Sequence, residues 1–111
     1  MGILIVDDSP DQQTLLRSIL KQAGHTHLLS AESAKVAFSM LNMDGAASPT
    51  QIDLILMDVL MPELDGVEAC RQIKSRLHLC DIPIIMVTAN NDRSNLQAAF
   101  AAGANDYITK P

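Results

Sequence analysis

Four polar positions stand out because each follows an apolar run. Asp7-Asp8 follow Ile3-Leu4-Ile5-Val6, Asp58 follows Leu54-Ile55-Leu56-Met57, Thr88 follows Ile84-Ile85-Met86-Val87, and Lys110 comes shortly after Tyr107-Ile108. An acid at the end of a buried strand is costly unless something there uses its charge. Three carboxylates brought together repel one another, and a hard divalent cation relieves that repulsion. The candidate ligands are all oxygen donors, with no His or Cys at matching positions, a set that suits Mg²⁺ rather than Zn²⁺. With a cation to neutralise the incoming phosphoryl oxygens, an ionised Asp58 can attack a phosphorus atom. A carboxylate is already deprotonated at neutral pH, so this nucleophile needs no general base. Lys110 offers a second positive charge, and Thr88 a hydroxyl donor, to the remaining oxygens. These residue types point to phosphoryl transfer onto Asp58.

Each of these residues needs an element to carry it. Ile3–Val6 reads as a parallel strand buried on both faces, because its apolar run is unbroken. Ser9-Pro10 gives an N-cap and a Pro at the first helical position. The following helix, to Ala23, places Leu15, Leu16, Ile19, Leu20 and Ala23 on one stripe, and Gly24 stops it. His27–Ala31 is a weaker strand, expected at the sheet edge. Ser33 caps a helix with Val36, Ala37, Met40 and Leu41 on its face. Residues Asp44 to Gln51 are small, polar and turn-rich, and read as a loop. The central strand runs into Asp58. Asp65 and Glu68 then stand at capping-box spacing ahead of a helix using Val67, Cys70, Ile73 and Leu77. Pro83–Val87 is another apolar strand, Leu96, Ala99 and Phe100 mark a helix that stops at Gly103, and a short strand lies around Asp106–Ile108.

This βαβαβαβαβ alternation implies a parallel sheet with helices on both faces. In such a sheet the carboxyl ends of the strands line one edge, and ligands bind in the crevice there. Asp7-Asp8, Asp58, Thr88 and Lys110 all fall at that edge. Their convergence is the signal, since each alone has an ordinary structural reading, such as acids favoured by a helix dipole.

The chain has 111 residues, 48% of them hydrophobic and 19% charged, which fits one globular domain. No apolar run approaches the ~20 residues of a membrane span, and no signal-peptide pattern opens the chain. The formal net charge of −5 argues against nucleic-acid binding by this segment. Cys70 and Cys80 match no metal spacing and are too few for a disulfide framework. Reduced thiols and a cytoplasmic location are the expectation. His25, His27 and His78 are scattered, and surface or packing roles are expected for them.

The blocks Ile3-Leu4-Ile5-Val6-Asp7-Asp8-Ser9, Asp58-Val59-Leu60-Met61-Pro62 with Asp65-Gly66, Met86-Val87-Thr88-Ala89, and Gly103-Ala104-Asn105-Asp106-Tyr107 with Lys110-Pro111 resemble the receiver domain of two-component response regulators. The resemblance covers essentially the whole chain. It implies a flavodoxin-like, doubly wound α/β fold, a five-stranded parallel sheet of order 2-1-3-4-5. It assigns Asp58 as the residue phosphorylated by a sensor histidine kinase or phosphotransfer protein, and Asp7, Asp8 and the backbone carbonyl of Leu60 as Mg²⁺ ligands with Asp58. Thr88 and Lys110 would contact the phosphoryl group, with the Lys110–Pro111 peptide cis. Tyr107 falls at the family's switch aromatic, which turns inward as the Thr88 hydroxyl follows the phosphoryl group. The protein would then be a switch with only self-phosphorylation and self-dephosphorylation chemistry. An apolar Leu60, with Asn90, flanks the site where an attacking water would sit, and a long phosphoryl lifetime is expected.

Two departures from the family pattern bear on these expectations. The usual fifth helix after the Lys-Pro turn is lacking, which would leave one sheet face covered by the first helix alone. Residues 1–111 are therefore expected to be one receiver domain cut from a longer protein, with a covalently linked effector beyond Pro111. The exposed face invites association, a homodimer being one such outcome. The second departure is the longer loop from Asp44 to Gln51, at the end of the sheet opposite the site. Other functions fit less well. An aspartate-nucleophile phosphatase needs an acid two residues after the nucleophile, where this chain has Leu60, and a flavin module needs a Ser/Thr-rich phosphate loop and aromatic walls. A degenerate receiver acting only as an interaction module is opposed by the intact acids, Thr88 and Lys110.

Overall fold

Continuous apolar runs buried on both faces make the central strands, and a computed structural model describes the chain over residues 2–41, 52–59, 61, 63–88 and 93–109. The expected loop from Asp44 to Gln51 lies outside the described residues, as do Leu60, Ala89, Asn90, Lys110 and the Lys110–Pro111 bond. Strands β1 (Ile3–Val6), β2 (Leu28–Ala31), β3 (Leu54–Asp58), β4 (Ile84–Thr88) and β5 (Asp106–Thr109) alternate with helices α1 (Pro10–Gln22), α2 (Ala34–Leu41), α3 (Gly66–Lys74) and α4 (Arg93–Ala101). All four strand pairings are parallel, in the order β2-β1-β3-β4-β5. This is the flavodoxin-like order 2-1-3-4-5, with four helices among the described residues.

Alternate residues of strands β1 to β4 feed two cores, as the pleat requires, while β5 is exposed along its length. Leu4, Val6, Ile55, Met57, Ile84 and Met86 pack with residues of α2, α3 and α4. Ile3, Ile5, Leu28, Leu56 and Val87 pack on the other face with Leu16 and Leu20 of α1. Among the described helices, α1 alone supplies that second core. Leu15, Ile19 and Ile108 remain exposed.

The sequence caps form as expected. The Ser9 hydroxyl accepts from the Gln12 N–H at 3.3 Å, with Pro10 opening α1, and the Ser33 hydroxyl accepts from the Val36 N–H at 3.1 Å. Gly24 follows α1 at φ 99°. The box at α3 forms only in its forward half: the Asp65 carboxylate accepts from the Glu68 N–H at 2.8 Å, while Glu68 pairs with Arg71 and Gln72. That pairing with Arg71 holds the exposed Glu68 carboxyl below its ordinary range.

Helical periodicity over-reached in two places. Ser75 is the C-cap of α3, so Leu77 lies beyond the helix and is 92% exposed, not on its buried face. On α1 only Leu16 is fully buried, while Leu15, Ile19 and Ala23 of the expected stripe are exposed. A single helix seated on one sheet face needs a narrower stripe than one packed on several sides.

Candidate functional site

Parallel register brings the acids together. Val6 sits beside Met57, so Asp7, one residue past β1, reaches the level of Asp58 at the end of β3. Asp58 in turn pairs with Val87, which places Thr88 at the adjacent position on β4. The alternation that sends Ile3, Ile5, Leu54 and Leu56 toward α1 continues into Asp7 and Asp58. Asp7, Asp58 and Thr88 are buried, with Asp58 only 2% exposed, while Asp8 is exposed on the turn into α1.

One carboxylate oxygen from each of Asp7, Asp8 and Asp58 lies within 4.8 Å of those from the other two. The three carboxylates among the four ligands expected from sequence therefore form one cluster. Three negative charges at this spacing, two of them in a buried setting, demand compensation. A cluster of oxygen donors with no His or Cys fits a hard divalent cation such as Mg²⁺ and not a soft-ligand metal.

Backbone and side-chain bonds fix the first acid. The Asp7 N–H donates to the Ala31 carbonyl at 3.0 Å, and the Asp7 carboxylate accepts from the Ser9 N–H at 2.9 Å. The Gln13 carboxamide donates to the Asp7 carbonyl at 2.6 Å and to the Ala31 carbonyl at 2.9 Å. Sequence reasoning passed over Gln13, since a glutamine in a helix carries no signal of its own. Below Asp58, the Val59 N–H donates to the Val87 carbonyl at 3.1 Å and the Gly66 N–H to the Val59 carbonyl at 2.8 Å. The start of α3 is thereby held against the backbone of the buried acid.

The start of β5, at the amino end of the sheet opposite the site, is fixed by Asn105. Its side-chain oxygen accepts from the Ile84 N–H at 3.0 Å, and its own N–H donates to the Ile84 carbonyl at 2.9 Å. This two-point pairing starts β5 and sets Tyr107 beside Met86 and Thr109 beside Thr88. Tyr107 is 38% exposed, its ring edge-on to Phe100 with centroids 6.2 Å apart. The aromatic expected to turn inward thus lies outward against α4. Leu60 and Lys110, the remaining expected site residues, lie outside the described residues.

A family model for the response regulator receiver domain matches residues 3–111. The chain is 34% identical to the two-component response regulator ORR1 of rice over 98% of its own length and 48% of that protein. It thus spans about half the length of that curated relative. It is also 32% identical to a chemotaxis protein CheY homolog of Campylobacter jejuni, covering all of this chain and 82% of the relative. Among solved structures it resembles the receiver domain of the sensor histidine kinase PA1611 from Pseudomonas aeruginosa, which carries a magnesium ion coordinated in its active-site cleft. That match has a TM-score of 0.78 at 31% identity over 100% of this chain and 87% of the other. With its parallel order β2-β1-β3-β4-β5 and its acids clustered at the carboxyl ends of β1 and β3, the chain belongs to the response regulator receiver domain family of two-component signalling.

Proposed function

We propose that Asp58 is the phosphoacceptor of a signalling switch and that Asp7, Asp8, Asp58 and the Leu60 carbonyl hold Mg²⁺. The observation that carries this reading is the convergence of three carboxylates on one point, with Asp58 buried at its base. Bound there, the cation supplies charge neutralisation for the phosphoryl oxygens. Asp58 attacks phosphorus with a carboxylate oxygen, the bond from phosphorus to the donor nitrogen breaks, and the donor imidazole keeps the electron pair. Burial of Asp58 shields the acyl phosphate from bulk water. Thr88 donates its hydroxyl to a phosphoryl oxygen, and Lys110 contributes a positive charge.

The donor is a phosphohistidine of a sensor histidine kinase or a phosphotransfer protein. Movement of the Thr88 hydroxyl toward the phosphoryl group vacates space into which Tyr107 turns, changing the surface of α4 and β5 and so a covalently linked effector domain. A near-complete shift between two such states needs about 5.5 kcal/mol of differential stabilisation, within reach of a doubly charged group engaging a hydroxyl and an ammonium. Residues 1–111 act as one receiver unit, in the cytoplasm. Among the described residues no helix is long and apolar enough to cross a membrane. Incubation with acetyl phosphate and Mg²⁺ adds the mass of one phosphoryl group to the protein and none to Asp58→Ala. Equal labelling of both would remove Asp58 from this role.

A further inference from the structure

We propose that Gln13 is a positioning residue of the acidic site, acting by fixing the peptide that joins Asp7 to Asp8. This inference rests on the reading of the three acids as a divalent-cation site. The carbonyl that Gln13 holds at 2.6 Å belongs to the Asp7–Asp8 peptide. Its second bond, at 2.9 Å, goes to the Ala31 carbonyl, which also accepts from the Asp7 N–H at 3.0 Å. Gln13 and the backbone of Asp7 and Ala31 therefore close a ring at the carboxyl ends of β1 and β2. Rotation of the Asp7–Asp8 peptide plane would break it.

That plane decides where the Asp8 side chain goes. Asp7 is anchored by its burial and by the Ser9 N–H, but Asp8 sits on an exposed turn. Without a cation, repulsion from Asp7 and Asp58 favours swinging Asp8 out into water. A carboxamide is suited to opposing this, because it offers N–H donors to two carbonyls and adds no charge to an acidic cluster. Outer-shell hydrogen bonds of this kind orient metal ligands, and losing one typically lowers affinity about tenfold or more.

Arg17, one turn along α1, provides a control. Its guanidinium donates to the Ser30 hydroxyl at 2.9 Å and the Leu28 carbonyl at 3.4 Å, so it ties α1 to β2 without touching the Asp7–Asp8 peptide. The test is calorimetric titration of Mn²⁺ and Mg²⁺ into wild type, Gln13→Met and Arg17→Met, with the melting temperature of each metal-free protein. The expected result is an affinity about tenfold weaker in Gln13→Met and unchanged in Arg17→Met, with melting lowered in both. Equal affinities in Gln13→Met and wild type, or equal losses in the two variants, overturn the role. In wild type, the Gln13 side-chain NH₂ signals should shift during the Mg²⁺ titration with the midpoint of the Asp8 amide, and their failure to move also overturns it. A wild-type protein that binds neither cation contradicts the parent reading of the site instead.

Discussion

A β-carbon added at Gly66 would lie 1.9 Å from the carbonyl oxygen of Asp58 and 2.8 Å from its carbonyl carbon. The first residue of α3 is thus in backbone contact with the proposed phosphoacceptor, and only glycine permits it. Gly66→Ala must push β3 and α3 apart at the point where Asp58 is positioned. We expect a loss of about 1–3 kcal/mol in urea unfolding, together with slower phosphorylation by acetyl phosphate. A variant that keeps both stability and rate would show that the contact relaxes without consequence.

Glu63 lies in the same β3–α3 connection at φ 69°, in the left-handed region that a β-carbon disfavours by about 1–2 kcal/mol. Glycine relieves that strain but loses more conformational entropy on folding. Glu63→Gly is therefore expected to gain roughly 0.5–1 kcal/mol, and any loss of stability on denaturation would contradict the strain.

Adjacent leucines on α1 should behave in opposite ways. Leu16 is 6% exposed and joins the core between α1 and the sheet, whereas Leu15 is 41% exposed. Leu16→Ala should lower stability by about 2–4 kcal/mol, and Leu15→Ala by less than about 1 kcal/mol. Equal losses would mean that Leu15 is covered in solution, and sedimentation of the two variants would show whether a second copy covers it.

Much of this was legible in the sequence because the informative signals were short and local. Unbroken apolar runs gave β1, β3 and β4, weaker and shorter patterns gave β2 and β5, and an acid or Thr at the end of the first three gave the cluster of Asp7, Asp8 and Asp58 and the neighbouring Thr88. Ser9, Ser33 and Asp65 announced their helices through capping. Leu77 was misplaced because Ile73 sets up the i+4 spacing and Ser75-Arg76 contains no Gly or Pro to end it. The end of α3 is set instead by a tertiary tie, the Lys74 ammonium donating to the carbonyls of Cys80 at 3.2 Å and Ile82 at 2.7 Å. The hydrogen-bonding roles of Gln13 and Asn105 were not legible for a similar reason. Their side chains bond to backbone carbonyls and amides distant in sequence, and no residue-type pattern encodes that.

Cys70 gives the chain a dependence on alkaline pH. Its thiol is fully buried, donating to the Ala102 carbonyl at 3.8 Å, and burial pushes its pKa up from 9.0 to about 11, with Lys74 pulling the other way. The unfolded thiol ionises first, so the folded state loses stability as pH rises from about 9 toward about 11 and keeps it fully below that window. About 2–3 kcal/mol should disappear across this range in wild type and not in Cys70→Ala. Matching pH profiles for the two proteins would contradict the burial of a neutral thiol.

The most direct test of the central claim is to locate the phosphoryl group itself. Protein phosphorylated with acetyl phosphate and Mg²⁺ is treated with borohydride, which reduces an aspartyl phosphate to homoserine with release of phosphate, and the digested peptides are then sequenced by mass spectrometry. Homoserine at position 58, formed only with both reagents present and never at positions 7 or 8, is the predicted result. An unmodified Asp58 in protein that carries a phosphoryl group elsewhere would contradict the account.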